Sequence, residues 1–246
     1  MRSFAAFLSS SVWLAALVAQ EPTKPESAPN EPTEPKRPRD PVELLATFAK
    51  MPGLEARYTE EKHLALLAVP LQSRGRLYFL RPGYLLREVE APEKASLLIT
   101  PKELRMKGRE GTEVIDLQSS DRVHLFVTSL VQVFCGDKDA LGKHYKLDFQ
   151  PEPRDEVSWR LVLTPSEKPL KQMLQSLTLR GSGFAVTEIE VKDPNGDRTV
   201  TKIVGADTKR SFDADEQLRL FRIEKPAKGS AEPQPPPTDA GTKKGT

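Results

Sequence analysis

The chain has 246 residues with 37 basic and 35 acidic side chains, a formal net charge of +2. The two signs are intermixed along its length, so no field is strong enough to recruit a polyanion, and nucleic-acid binding finds no support. One cysteine, Cys135, excludes an intramolecular disulfide and leaves no thiol near the N-terminus to accept a lipid. Set within Val131-Gln132-Val133-Phe134, it reads as a buried small hydrophobe.

After Arg2 the chain runs from Ser3 to Ala19 without another charge. This is the layout of a secretory signal peptide over residues 1–19, with cleavage expected after Ala19, although Leu17 departs from the small-residue rule. A membrane anchor would need about 20 predominantly apolar residues, and Ser9-Ser10-Ser11 interrupts this run. Residues 20–39 and 227–246 are rich in Pro, Glu, Lys, Thr and Ser. They hold too little apolar surface to offset the entropy of ordering, and both are expected to be disordered. A single domain is expected over residues 40–226.

That domain opens on Asp40-Pro41-Val42-Glu43, an N-cap, a proline at the first helical position and a capping-box glutamate. A short amphipathic helix carrying Leu44, Leu45 and Phe48 is predicted to run to about Met51, before Pro52-Gly53. From Leu54 the period becomes two. Strands are predicted over 75–81 and 84–89, joined by Pro82-Gly83, then over 95–100, 104–107 and 114–117, as an antiparallel meander.

Residues 121–134 are apolar on nearly every side and precede Gly136. Periodicity alone does not exclude a strand there, but the length and the glycine stop favour a largely buried helix. Strands resume over 145–149, 159–163, 176–180, 184–192 and 198–204, the last two flanking the hairpin signal Asn195-Gly196. A short connection is expected at 166–173, and a closing strand is predicted over 218–223.

Catalytic chemistry is hard to find. His63, His124 and His144 have no companions at metal-ligand spacing. Gly181-Ser182-Gly183 lacks the spacing of a nucleophile elbow and reads as a turn between strands. The acidic pairs Glu60-Glu61 and Asp155-Glu156 lie in polar contexts and read as solvated faces. No phosphate loop or dinucleotide fingerprint is present, so a binding protein without catalytic residues, metal or cofactor is expected. Leu77 and Phe79 point the same way as Arg81, because strand side chains alternate. Arg81 then either reaches water from the strand end or bonds the carbonyls of a covering helix.

Several landmarks in series resemble the LolA family, periplasmic carriers that shuttle lipoproteins from the inner to the outer membrane. They are Leu54-Glu55-Ala56-Arg57-Tyr58-Thr59-Glu60; Ser73-Arg74-Gly75-Arg76-Leu77-Tyr78-Phe79-Leu80-Arg81-Pro82-Gly83; Pro92; Leu163-Thr164-Pro165; Asp193 through Gly196 to Thr199; and Phe221-Arg222-Ile223-Glu224-Lys225-Pro226. The resemblance implies a mainly β fold, an open antiparallel β half-barrel covered by an α-helical lid. It places the family's lid-latching arginine on Arg81 and an apolar cavity residue at Leu85. Three features depart from the family: Arg87 stands where tryptophan is usual, Thr100-Pro101-Lys102-Glu103 and Met106 replace Asp-Gly before an aromatic-rich strand, and the helix from Asp121 is longer.

Together these readings predict a monomeric periplasmic carrier. Its acyl-chain cavity is expected to be lined by Leu77, Phe79, Leu85, Leu125, Phe126 and Leu130, the last three on a lid helix. Arg81 is expected to latch the lid, and Arg87 is the candidate head-group contact. The resemblance also implies an inner-membrane donor and an outer-membrane acceptor. The competing expectations are a carrier of another amphiphile, such as a glycolipid, and a non-enzymatic sensor or scaffold on the same fold.

Overall fold

The computed structural model describes residues 37–119, 121–153 and 156–223. The expected signal peptide, most of the linker and the tail lie outside the described residues. The elements in chain order are α1 (Pro41–Ala49), β1 (Gly53–His63), β2 (Leu71–Leu80), β3 (Tyr84–Ala91), β4 (Ala95–Ile99), β5 (Glu103–Gly108) and β6 (Gly111–Asp116). A 3-10 turn follows over Leu117–Ser119, then α2 (Asp121–Cys135), α3 (Lys138–His144), β7 (Tyr145–Pro151), β8 (Ser158–Pro165) and α4 (Lys168–Lys171). The series ends with β9 (Ser176–Ser182), β10 (Ala185–Lys192), β11 (Arg198–Asp207) and α5 (Ala214–Phe221).

All eleven strands join one antiparallel sheet in the order β6-β5-β4-β3-β2-β1-β11-β10-β9-β8-β7. The sheet stays open, as expected for a half-barrel, with β6 and β7 as its edges. The two meanders meet where β1 pairs with β11. Asn195-Gly196 forms the turn of the β10–β11 hairpin, and Gly196 adopts φ 93°, a conformation that suits glycine.

Local chemistry accounts for α1. The Asp40 carboxylate accepts the Glu43 N–H at 2.9 Å, and Pro41 occupies the first turn. Glu43 reaches back one residue further than a capping box would, accepting from Arg39 N at 2.9 Å. The described chain already packs before the helix, since Pro38 is fully buried.

Two apolar clusters share the concave face. One gathers Leu44 and Leu45 of α1 with Trp159, Leu161, Leu163, Leu177 and Leu179. The other gathers Leu54, Ala56, Tyr58, Leu77, Phe79, Leu85, Ile99 and Leu104 with Val127 and Val131 of α2. A third lies on the convex face, where Tyr78, Leu86 and Leu98 meet Phe212, Leu220 and Phe221.

That third cluster corrects the closing strand predicted over 218–223, which is largely the helix α5. Asp213 accepts from Asp215 N at 2.9 Å and Glu216 N at 2.8 Å, while Glu216 accepts from Asp213 N at 3.1 Å. This reciprocal capping box starts a helix whose Leu220 and Phe221 cover the back of β2, β3 and β4. Two further helices, α3 and α4, occupy stretches where no helix was expected.

Candidate functional site

Cross-strand registry builds the concave face rung by rung. Leu54 of β1 pairs with Phe79, Phe79 with Leu85, Leu85 with Ile99, Ile99 with Leu104, and Leu104 with Ile115. One apolar rung thus crosses six strands, and each member belongs to the cluster under α2. The next rung is Ala56, Leu77, Arg87, Leu97 and Met106, so Arg87 enters an otherwise apolar row. On the other side Phe149, Leu161, Leu179, Ile189 and Thr201 form a rung that ends on Glu60 of β1.

Helix α2 fills the space between the two halves. Phe126 packs against both concave clusters; Leu125 and Leu130 face one of them and Val123 the other. The residues seated deepest are Val127, Val131 and Val133, together with Ser129. Val123, Val127 and Val131 recur every four residues, a stripe readable in the sequence though not among the residues singled out there. Ser129 Oγ donates to Phe126 O at 2.7 Å and lies 2.6 Å from the Tyr145 hydroxyl, which fixes the middle of α2 to the start of β7. Phe134 stacks on Phe79 with centroids 5.7 Å apart. Leu77, Phe79 and Leu85 are therefore buried beneath α2.

Arg81 follows β2 at the C-terminal ends of both α1 and α2. Its Nε donates to Met51 O at 2.7 Å, and its Nη2 donates to Phe48 O at 2.7 Å and to Cys135 O at 3.1 Å. One guanidinium thereby gathers carbonyls from the ends of two helices, where carbonyls lack intrahelical partners and the helix dipole favours a cation. Gly136 ends α2 at φ 67°, and Asp137 N bonds Gln132 O at 3.1 Å, as in a Schellman ending. Burial pushes the neighbouring Cys135 thiol up, with Arg81 opposing it.

Glu60 is not the solvated side chain expected from its polar context. Only 15% of it is exposed; Arg87 Nη2 donates to its Oε1 at 2.6 Å and Thr201 Oγ1 to its Oε2 at 2.9 Å. The Arg87 guanidinium also lies over the Tyr58 ring, 4.8 Å from its centroid. The far end of the hollow is thus a charge-paired polar centre, formed by strands that only registry brings together.

The histidines stay apart: His63 neighbours Glu61 at 3.7 Å, His144 bonds Glu167 at 3.0 Å, and His124 is exposed. Among the described residues no group of His, Cys, Asp and Glu side chains could hold a metal, and no helix is long and apolar enough to cross a membrane. Of Gly181-Ser182-Gly183, expected as a turn, only Gly183 lies in the β9–β10 turn; Gly181 and Ser182 are the last paired residues of β9.

A family model described as "Outer membrane lipoprotein carrier protein LolA-like" matches residues 35–220, and the chain belongs to that family. No curated protein matches it. Among solved structures it is similar to a LolA superfamily protein of Nitrosomonas europaea, at 12% identity and TM-score 0.40, over 73% of this chain and 97% of the other. It is also similar to a chain of the MucA/MucB complex of Pseudomonas aeruginosa, at 12% identity and TM-score 0.42, over 72% and 59%. A third is the lipoprotein LppX of Mycobacterium tuberculosis, at 8% identity and TM-score 0.37, over 70% and 95%.

Proposed function

We infer that the protein is a periplasmic, non-enzymatic carrier that shields the acyl chains of lipoproteins between the concave sheet face and α2, and delivers them towards the outer membrane. The observation that carries this reading is α2 itself. It is an apolar helix shared by both concave clusters and tied at its end through Arg81, so cargo and helix compete for one surface.

Each methylene moved from water into such a hollow is worth about 0.8 kcal/mol, so one acyl chain contributes on the order of 10 kcal/mol. Release is therefore the harder task, and reclosure of α2 over Leu77, Phe79 and Leu85 lowers the affinity of the loaded state. Leu125, Phe126 and Leu130 move with the lid, and Arg81 is its latch. Arg87 meets the head group at the polar end of the hollow, where an anion replaces Glu60 as its partner. A donor at the inner membrane and an acceptor at the outer membrane complete the cycle.

Native mass spectrometry with lipid extraction, on protein recovered from the periplasm, tests this. An acylated adduct is expected. Protein that carries no lipid and fails to solubilise added lipoprotein would turn the reading to a sensor or scaffold.

A further inference from the structure

The β1–β2 hairpin ends in Leu64-Ala65-Leu66-Leu67-Ala68-Val69-Pro70-Leu71, eight residues without a charge. Elsewhere in the described domain such side chains are mostly buried; here they are bared. Leu66 is 96% exposed, Val69 71%, Leu71 52% and Leu67 48%. The tip is nonetheless shaped: Leu67 N bonds Leu64 O at 2.9 Å, and Ala65 N donates to Asp197 Oδ1 at 2.8 Å, tying it to the β10–β11 turn.

Around its base stand Lys62, Arg74 and Arg198, with His63 between Glu61 at 3.7 Å and Arg198 at 3.5 Å. Of the acidic neighbours, Glu61 faces His63, Asp197 accepts from the tip's own backbone, and the buried Glu190 lies 3.9 Å from Arg198, which leaves Lys62 and Arg74 as the cations with no carboxylate beside them among the described residues.

We propose that this tip is a membrane-docking loop that inserts Leu66, Leu67 and Val69 into an anionic phospholipid surface, with Lys62, Arg74 and Arg198 at the head groups. An uncharged apolar end above a basic collar is the chemistry of interfacial insertion. A stable protein partner would need about 800 Å² on each side, whereas a single projecting turn offers only a few apolar side chains. The loop also lies at the opposite end of β2 from Arg81, next to the rungs that hold Glu60 and Ser73. Docking there presents the polar end of the hollow to the bilayer and leaves the Arg81 end away from it.

The test uses the chain from Gln20 onward carrying Leu66→Trp, where the buried Trp159 serves as a constant reference. Vesicles of phosphatidylethanolamine and phosphatidylglycerol are added. The expected result is a blue-shifted emission, quenched by brominated acyl chains, and weakened at least about tenfold in apparent affinity when Val69→Asp is added. Emission unmoved by vesicles would overturn the proposal. So would a concentration-dependent shift without vesicles that Val69→Asp abolishes, since that would assign the tip to a second copy of the chain. Lipid co-purifying in the hollow is a separate readout, so failure here leaves the carrier reading standing.

Discussion

Arg81 and Cys135 lie 54 residues apart in the chain and meet at 3.1 Å, guanidinium Nη2 to backbone carbonyl. The same nitrogen reaches Phe48 O and its neighbour Nε reaches Met51 O, so one side chain joins the sheet to both helix ends.

Replacing Arg81 with leucine removes those donors. Phe48 O keeps the Met51 N–H at 3.0 Å, while the Met51 and Cys135 carbonyls lose their charged partner. Hydrogen bonds to charged groups are worth about 1.5–3 kcal/mol each, so a loss of about 3 kcal/mol in unfolding free energy is expected. Hydrogen exchange distinguishes a latch from a general brace. Amides of α2 should exchange faster in Arg81→Leu, while those of β8 and β9 keep their wild-type protection relative to global stability. Uniform acceleration across the sheet would remove the latch role.

Gly136 offers a second handle on the same corner. Its φ is 67°, and an added Cβ would lie 2.1 Å from Leu45 O and 2.5 Å from Ala49 N, both backbone atoms of α1. Gly136→Ala must push α1 and α2 apart as well as bear left-handed strain, and should cost about 3 kcal/mol or more. Gly142, inside α3 with nothing within 4 Å of an added Cβ, is the matched control. There alanine should stabilise by up to about 1 kcal/mol. Denaturant midpoints of the two variants should move in opposite directions.

The strand pattern was legible because alternation survives wherever one face of the sheet meets water, as in β10 and β11. It blurred at Leu85-Leu86 and Leu97-Leu98-Ile99, where α5 covers the back and both faces are apolar. α5 itself was misread because Leu218 and Leu220 alternate, although Asp213 and Glu216 hold the same capping spacing that identified α1. Arg81 could be placed at the end of an apolar row, but its carbonyl partners come from distant helices. Glu60 was missed for a similar reason: its neighbours Arg87 and Thr201 are brought to it by registry across four strands, β11, β1, β2 and β3, which local context does not encode.

Tyr58 supplies a pH test of the concave core. Burial, with Arg87 opposing it and Glu60 and Glu90 adding to it, pushes its phenol up to about 12. A raised folded-state value means that the contribution is complete below the unfolded value near 10 and is lost as pH rises towards 12. Tyr58→Phe should cost about 1 kcal/mol at neutral pH, through the lost bond to Glu88 O at 3.2 Å. Between pH 10 and 12 it should also flatten the fall in stability by up to about 1.4 kcal/mol per unit. An unchanged alkaline slope would place the titration elsewhere.

Helix α2 can be locked onto the sheet by chemistry. Gly83, in the turn between β2 and β3, would carry a Cβ 3.3 Å from Val131 Cγ1 on α2, close enough for a cysteine at each position to be bridged. Cys135 Sγ sits nearby, donating to Pro82 O at 3.2 Å, so the pair belongs in a Cys135→Ser background. Oxidised Gly83→Cys/Val131→Cys protein should gain stability and take up little of a fluorescent fatty acid, because α2 can no longer yield the face lined by Leu77, Phe79 and Leu85. Reduction should restore uptake to the level of Cys135→Ser alone. Equal uptake by the oxidised and reduced forms would show that cargo does not displace α2, and the competition between helix and acyl chain would have to be abandoned.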